Sequence, residues 1–218
     1  MTLASVNMVS VSIWGAGLLL YLIFFVWHEN WRGPLSEAEI AFYSARIDAN
    51  ANVDEGQRAT LKKFMRDDTG RAFYMVNLLA FPSGKLAHPD SGASVSPPAL
   101  LQEYYRPFIK KMLARASYPA ITGTVVGGYI EAWATEANPG WSASGLVRYR
   151  SRRDLLAGVT EASFHDGHAY KRAAISVTFA VPIESNGGVL MSPRLWVALV
   201  LTTLAALGQV AYLTLRAG

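Results

Sequence analysis

His165, Asp166 and His168 stand in the pattern H-D-x-H. Metal binding requires imidazole and carboxylate groups that converge on one point, and positions three apart share a helical face. Gly167 between them favours a turn, so a helix-cap and surface role is expected, with metal or acid–base work as the alternative. Asn77 lies among apolar neighbours in MVNLL. A buried amide must find hydrogen bonds, so Asn77 either ties strands or subunits together or orients a ligand in a cleft between sheet and helices. Tyr104, Tyr105, Trp133, Tyr149 and Arg148 would line the same cleft, although aromatic residues at this spacing more often form core. The candidates for chemistry are therefore Asn77, His165, His168 and Arg148. His28 beside Glu29 is expected as an interfacial polar residue, and His88 as a solvated one.

Arg148, Arg150, Arg152 and Arg153, with Lys110, Lys111 and Arg115, make two basic clusters. A solvated face is the expected reading, and a surface for anionic lipid or an acidic partner is the alternative. No recognition motif accompanies them, so nucleic acid is not an expected partner. P-loop, dinucleotide, zincin and nucleophile-elbow motifs are absent. The chain has no cysteine, which removes disulfides, thiolate nucleophiles, iron–sulfur clusters and thiolate zinc sites from consideration. No cofactor and no metal are expected.

The elements that must position these residues begin with two charge-free apolar runs. Val9–Trp27 is 19 residues long and Leu195–Leu215 is 21. As helices rising about 1.5 Å per residue, each is long enough to cross a hydrocarbon core of roughly 30 Å. Charged residues make up only 17% of the chain, against about a quarter in an ordinary globular protein, and the deficit lies in these runs. The stretch before Val9 has no Lys or Arg, and the first run ends in bulky YLIFFVWHENW, so an uncleaved membrane helix is expected rather than a signal peptide. Trp27, Trp31 and Trp196 fall where aromatic rings meet headgroups. Arg32 and Arg194 flank the spans on the side of the central domain, and Arg216 lies at the far end. The expectation is a two-pass protein of the bacterial inner membrane with a cytoplasmic central domain and both tails outside. Ala198, Thr202 and Ala206 recur every four residues, and Gln209 follows them. They form a candidate helix-packing face.

The expected organisation is a tail over 1–8, a span over 9–27, a juxtamembrane helical segment over 28–70, a domain over 71–184, a linker over 185–194 and a span over 195–215. Ser36 should cap one helix, with Glu37 and Glu39 in its first turn. Asp54 with Gln57 resembles a capping box for the next. RAFYMVNLLAF reads as a strand and residues 82–98 as a long loop. A helix containing Pro107 should follow. AITGTVVGGYIEAWA reads as a strand with a bulge at Gly127–Gly128, and SASGLVRYR as another strand. Ser151 should cap a helix over RRDLLAGVT, a further helical piece spans about Asp166 to Ala174, and ISVTFAVPI closes the domain as a strand. Strand, helix, strand, strand, helix, strand is the split βαβ order. The expected fold class is α+β, a ferredoxin-like antiparallel sheet domain flanked by one transmembrane helix at each terminus.

The segments YMVNLLAF, EYYRPF, VVGGY, LVRYRSRRDLLAGV and HAYKRAAISVTFAVPI together resemble a bacterial domain-of-unknown-function family within the dimeric α/β-barrel superfamily, over about Phe73 to Ile183. The resemblance implies two sheets meeting face to face. It also implies a superfamily range of cofactor-independent monooxygenases, haem-handling proteins, muconolactone-type isomerases and plain ligand binders. Two functions follow as expectations. The first is a non-catalytic membrane protein that self-associates or serves as accessory subunit to other integral membrane subunits. The second is a membrane-anchored enzyme of the monooxygenase or isomerase kind acting on a lipophilic small molecule. An open cleft beneath the sheet favours the enzyme, whereas a filled cleft with an exposed apolar sheet face favours assembly.

Overall fold

The computed structural model describes residues 3–51, 53–160, 169–187 and 192–217, with side chains from Met8 onward. In chain order its elements are α1 (Leu3–His28), α2 (Glu37–Asp48), α3 (Glu55–Arg66), β1 (Phe73–Ala80), β2 (Leu86–Ala87), β3 (Ser94–Val95), α4 (Pro97–Ala114), β4 (Tyr118–Thr124), β5 (Ala143–Tyr149), α5 (Arg152–Val159), α6 (described over 169–174), β6 (Val177–Ile183) and α7 (Pro193–Ala217). They form two compact units, one of Met1–Glu29 with Asn186–Gly218, the other of Asn30–Ser185.

The first unit pairs α1 with α7. Residues Met8–His28 and Pro193–Ala217 are long and apolar enough to cross a bilayer. Small residues set the approach. A Cβ placed on Gly17 would lie 3.7 Å from the Ala205 Cβ, and one on Gly208 would lie 3.7 Å from Ile13 Cγ2. Gln209 Nε2 donates to Ser10 Oγ at 2.9 Å. Ala205 is the buried alanine of the pair, one position before Ala206, while Ala198 and Thr202 line a groove with Trp14, Gly17 and Tyr21. At the other end of the helix pair Arg194 Nε and Nη2 donate to Glu29 at 2.7 and 2.6 Å. His28 is buried there with its Nδ1 2.7 Å from Glu29.

The second unit is mixed α+β. Both helices that precede the sheet start in reciprocal capping boxes, Ser36 with Glu39 and Asp54 with Gln57. The four-stranded sheet is antiparallel throughout, in the order β4-β5-β1-β6. Side chains alternate between its faces. Phe73, Met75, Leu79, Val147 and Tyr149 point into the layer of α4, α5 and α6, where they join Leu100, Leu101, Tyr104, Met112, Leu155 and Ala174. A third cluster of Leu35, Tyr43, Ile47, Met65 and Leu156 seats α2 and α3 on α5.

Three local expectations are corrected. β4 stops at Thr124, and residues 125–142 form a long loop closed at its base by Val125 N–H donating to the Ser142 carbonyl at 3.0 Å. The bulge lies between Pro119 and Ile121 rather than at Gly127–Gly128. Proline has no N–H to offer the ladder, so the irregularity falls beside it on an edge strand. The segment 82–98 is not all loop, since β2 and β3 pair within it.

Candidate functional site

Asn77 sits mid-strand on the helix-covered face, opposite Gly145 and Ala180. Its amide donates to the Met75 carbonyl at 2.9 Å and the Gly145 carbonyl at 3.3 Å, which makes it a strand tie. Arg148 projects from the other face, opposite Tyr74 and Tyr118. It is 3% exposed and donates Nη1 to the Ala116 carbonyl at 2.8 Å. Ala116 holds φ +50, so the guanidinium braces the strained turn that joins α4 to β4. His165, Asp166 and His168 lie outside the described residues. Among the described residues no group of His, Asp and Glu is arranged to hold a metal ion. His88 is not simply solvated, because its Nε2 lies 3.0 Å from Glu103. Trp133 does not share a cleft with Tyr104 and Tyr149, since it is 80% exposed on the 125–142 loop. Trp27, Trp31 and Trp196 are exposed.

The arginines expected on a solvated face are mostly buried. Arg153 donates Nε and Nη2 to Glu39 at 2.6 and 2.9 Å, and Nη2 again to the Pro34 carbonyl at 2.9 Å. These bonds, partly opposed by burial, hold the Glu39 carboxyl down at about 2. Arg152 lies 4.4 Å over the Phe64 ring, pairs with Asp68 at 3.4 Å and donates to Glu184 at 3.1 Å. Asp68 also accepts from the Leu35 and Gly70 N–H groups at 2.8 and 2.9 Å. Asn30 Nδ2 donates to the Gly33 and Gly70 carbonyls at 3.0 and 2.8 Å. The network therefore gathers residues 30–39, 64–71, 152–153 and 184, and with them both ends of the unit. Spacing along the chain had no power to reveal it, because its partners come from segments far apart.

Apart from Arg148 and Ser144, the face of the sheet that bears Arg148 is mostly apolar, and among the described residues no helix layer covers it. The pairing register lays Val181, Val76, Leu146 and Ile121 in one row across all four strands. Beside it run Phe179 with Leu78, Ile183 with Tyr74, and Val177 with Ala80. Val177, Phe179, Val181 and Ile183 are each between 42% and 47% exposed, and Ile121 is 51% exposed. The 125–142 loop continues this surface at the end of the sheet opposite residues 30 and 184. Trp141 at its base meets Phe179 edge-on at 5.2 Å. Val126 is 98% exposed and Ile130 99%. Alternation along TFAVPI carries the signal for the face, whereas nothing in the spacing marks the loop as exposed.

Beneath the sheet the space is filled by the core clusters. A cavity of about 290 Å³ with aromatic walls lies between α4 and α5, and neither Asn77 nor Arg148 is among its described lining residues.

No protein-family model matches the chain, and no curated protein matches it. Two crystal structures are similar to it. One is the methylated RPA0582 protein, at 14% identity over 60% of this chain and 93% of that chain, with a TM-score of 0.50. The other is RPA0582, a protein of unknown function from Rhodopseudomonas palustris and a structural genomics target. It is 14% identical over 60% of this chain and 94% of that chain, with a TM-score of 0.48. The first likeness is one of fold alone.

Proposed function

We propose that this chain is a non-catalytic, bilayer-anchored module whose central domain pairs with a second copy through the open face of its sheet. The observation that carries the reading is the unbroken apolar row Val181–Val76–Leu146–Ile121 on a face that no described helix covers. The strand order, second-third-first-fourth among the four long strands, supports a ferredoxin-like arrangement, whose outer sheet face needs a cover. Four strands of seven residues present about 450 Å² in projection, from strand spacings of about 4.8 Å and rises of about 3.4 Å. A stable interface covers about 800 Å² per partner. The exposed Val126, Ile130 and Trp133 would supply much of the remainder by reaching over the second copy. The two apolar helices would hold the module in a bacterial inner membrane, and Arg32 and Arg194 favour a cytoplasmic central domain.

Light-scattering mass of the full chain in mild detergent tests this. A dimer is expected. Val181→Glu and Ile121→Glu should both give monomer with an unchanged far-UV spectrum, because each new carboxylate is solvated in the single copy but buried in the pair. A monomeric wild type, or a dimer that survives both substitutions, refutes the reading.

A further inference from the structure

We propose that α1 and α7 carry a second self-pairing surface, a groove that the helix pair of a second copy fills to make a four-helix bundle. This rests on the reading of a bilayer-held chain that pairs with itself, and it adds an interface that the sheet does not contain. The sheet face projects only about 450 Å², where a stable pair covers about 800 Å² per partner. The pair therefore needs both surfaces, and losing either one dissociates it.

One wall of the groove is Trp14, Gly17, Leu18 and Tyr21 of α1. The other is Ala198, Leu201, Thr202 and Ala205 of α7. Each set follows the spacing i, i+3, i+4, i+7, so each is one continuous helical face. All of these residues lie in the described middle of the two apolar helices. The groove holds about 250 Å³, below the roughly 300 Å³ at which ligand pockets begin. That size suits inserted side chains better than a free ligand. Its lining carries no charge, as a contact within hydrocarbon requires.

The two walls are unlike, and that selects the occupant. The α1 wall is bulky, with Trp14 45% and Leu18 60% exposed, whereas the α7 wall is mostly small. Two copies with one topology in one bilayer are related by a two-fold axis along the membrane normal, since an axis in any other direction would turn one copy over. That axis sets α1 of each copy against α7 of the other, bulky wall to small wall. Close packing of this kind is what drives helices together in lipid.

Polar groups fall into place in the same arrangement. A Cβ on Gly17 would meet the Ala205 Cβ at 3.7 Å, which fixes the level at which the antiparallel helices touch. Tyr21 lies four residues beyond Gly17 and Thr202 three residues before Ala205, displacements of about 6 and 4.5 Å in the same direction. The two residues therefore share one depth in the bilayer. Neither hydroxyl makes a hydrogen bond among the described residues, and hydrocarbon has no water to supply one. In the bundle the Tyr21 hydroxyl of one copy donates to the partner's Thr202, and the axis makes the bond twice.

The test uses the full chain in lipid vesicles, with Tyr21 replaced by the photoreactive p-azidophenylalanine, which is close to tyrosine in shape. Illumination should give an adduct of twice the chain mass, joined through the segment 198–205 of the second copy when mapped by mass spectrometry. Thr202→Val should weaken pairing about tenfold, read by energy transfer between labelled chains as lipid is added, for two lost interhelical bonds. Tyr21→Phe should do the same. The double variant should be no weaker than either single one, because both remove the same bond. Additive losses would overturn the bond. A dimer that Val181→Glu breaks but that gives no such adduct overturns the helix contact alone, and the groove then belongs to lipid or to another protein's helix. An adduct that forms as well with Val181→Glu present keeps the helix contact and overturns the sheet reading. A chain that gives neither dimer nor adduct overturns both.

Discussion

Glu39→Gln should destabilise the central domain by about 1.5 kcal/mol at pH 7 and leave its helix cap intact. Glutamine at the third helical position still reaches back to the Ser36 N–H, as glutamate does at 3.0 Å. The substitution removes the charge and turns the oxygen that accepts from Arg153 Nε and Arg32 Nη2, at 2.6 and 2.9 Å, into a donor. Arg153 then keeps its carbonyl partners Gly33 and Pro34 at 3.3 and 2.9 Å but loses its counter-ion. A carboxyl brought from 4.5 to about 2 corresponds to about 3.4 kcal/mol at full strength. Glu39 is still 23% exposed against 8% for Arg153, and water screens the pair, so less than half of that figure is expected. For a body of this size the melting temperature should fall by about 3–6 °C, read from near-UV dichroism of the full chain in detergent. The carboxyl is lowered by folding, so its contribution is complete above the unfolded value near 4.5 and disappears as pH falls from there toward 2. The gap between wild type and variant must close over that window. A double-mutant cycle with Arg153→Met should return a coupling of about 1 kcal/mol or more. A variant within 1 °C of wild type at pH 7, about the error of such a melt, refutes the reasoning. A gap that stays constant down to pH 3 refutes it as well.

Gly70 holds φ +72, and a Cβ there would sit 2.7 Å from the Gly33 and Pro34 backbone. Gly70→Ala should cost more than about 2 kcal/mol by thermal melt. Gly84→Ala, with φ +80 and open space around it, should cost only about 1 kcal/mol, and equal losses would count against the clash. Because the chain lacks cysteine, Gly17→Cys with Ala205→Cys gives a clean cross-link test. The 3.7 Å separation matches the Cβ spacing of a disulfide, about 3.8 Å, so oxidation should join α1 to α7 within one chain, and failure to do so rejects their contact. Asn77→Ala should lose about 1 kcal/mol for its two carbonyl bonds, and an unchanged melt would show that the amide ties nothing.

What could be read from the chain was what local physics decides. Ser36 and Asp54 announce their helices because a cap and its reciprocal partner lie three residues apart. Val177, Phe179, Val181 and Ile183 declare one face because strands alternate. The two terminal helices follow from length and the absence of charge. Arg152 and Arg153 defeated the same reading, since an arginine followed by an arginine looks solvated until Glu39, Asp68 and Glu184 arrive from elsewhere in the chain. The 125–142 loop misled for a related reason. Val125, Val126, Tyr129 and Ile130 have strand-like composition, but among the described residues no strand pairs with them.

The distribution of charge and apolar surface within the central unit makes one physical argument for a tether. Its buried ion pairs collect at the end of the sheet where the chain enters at residue 30 and leaves after 184, while its unpartnered apolar groups occupy the open face and the opposite end. About 450 Å² of flat sheet is marginal for pairing two freely diffusing copies. Binding that fixes translation and rotation carries a free-energy cost that small interfaces barely offset. If the terminal helices hold two copies in one bilayer, as proposed, those copies have already lost part of that freedom, and confinement acts as a raised effective concentration without any new contact. Pairing should then respond to surface density. In vesicles of fixed protein amount, adding lipid should dissociate the pair, whereas diluting the vesicles with buffer should not. Dissociation on buffer dilution would mean that the helices do not confine the domain, and no dissociation on lipid dilution would mean that the open face is stronger than its area implies.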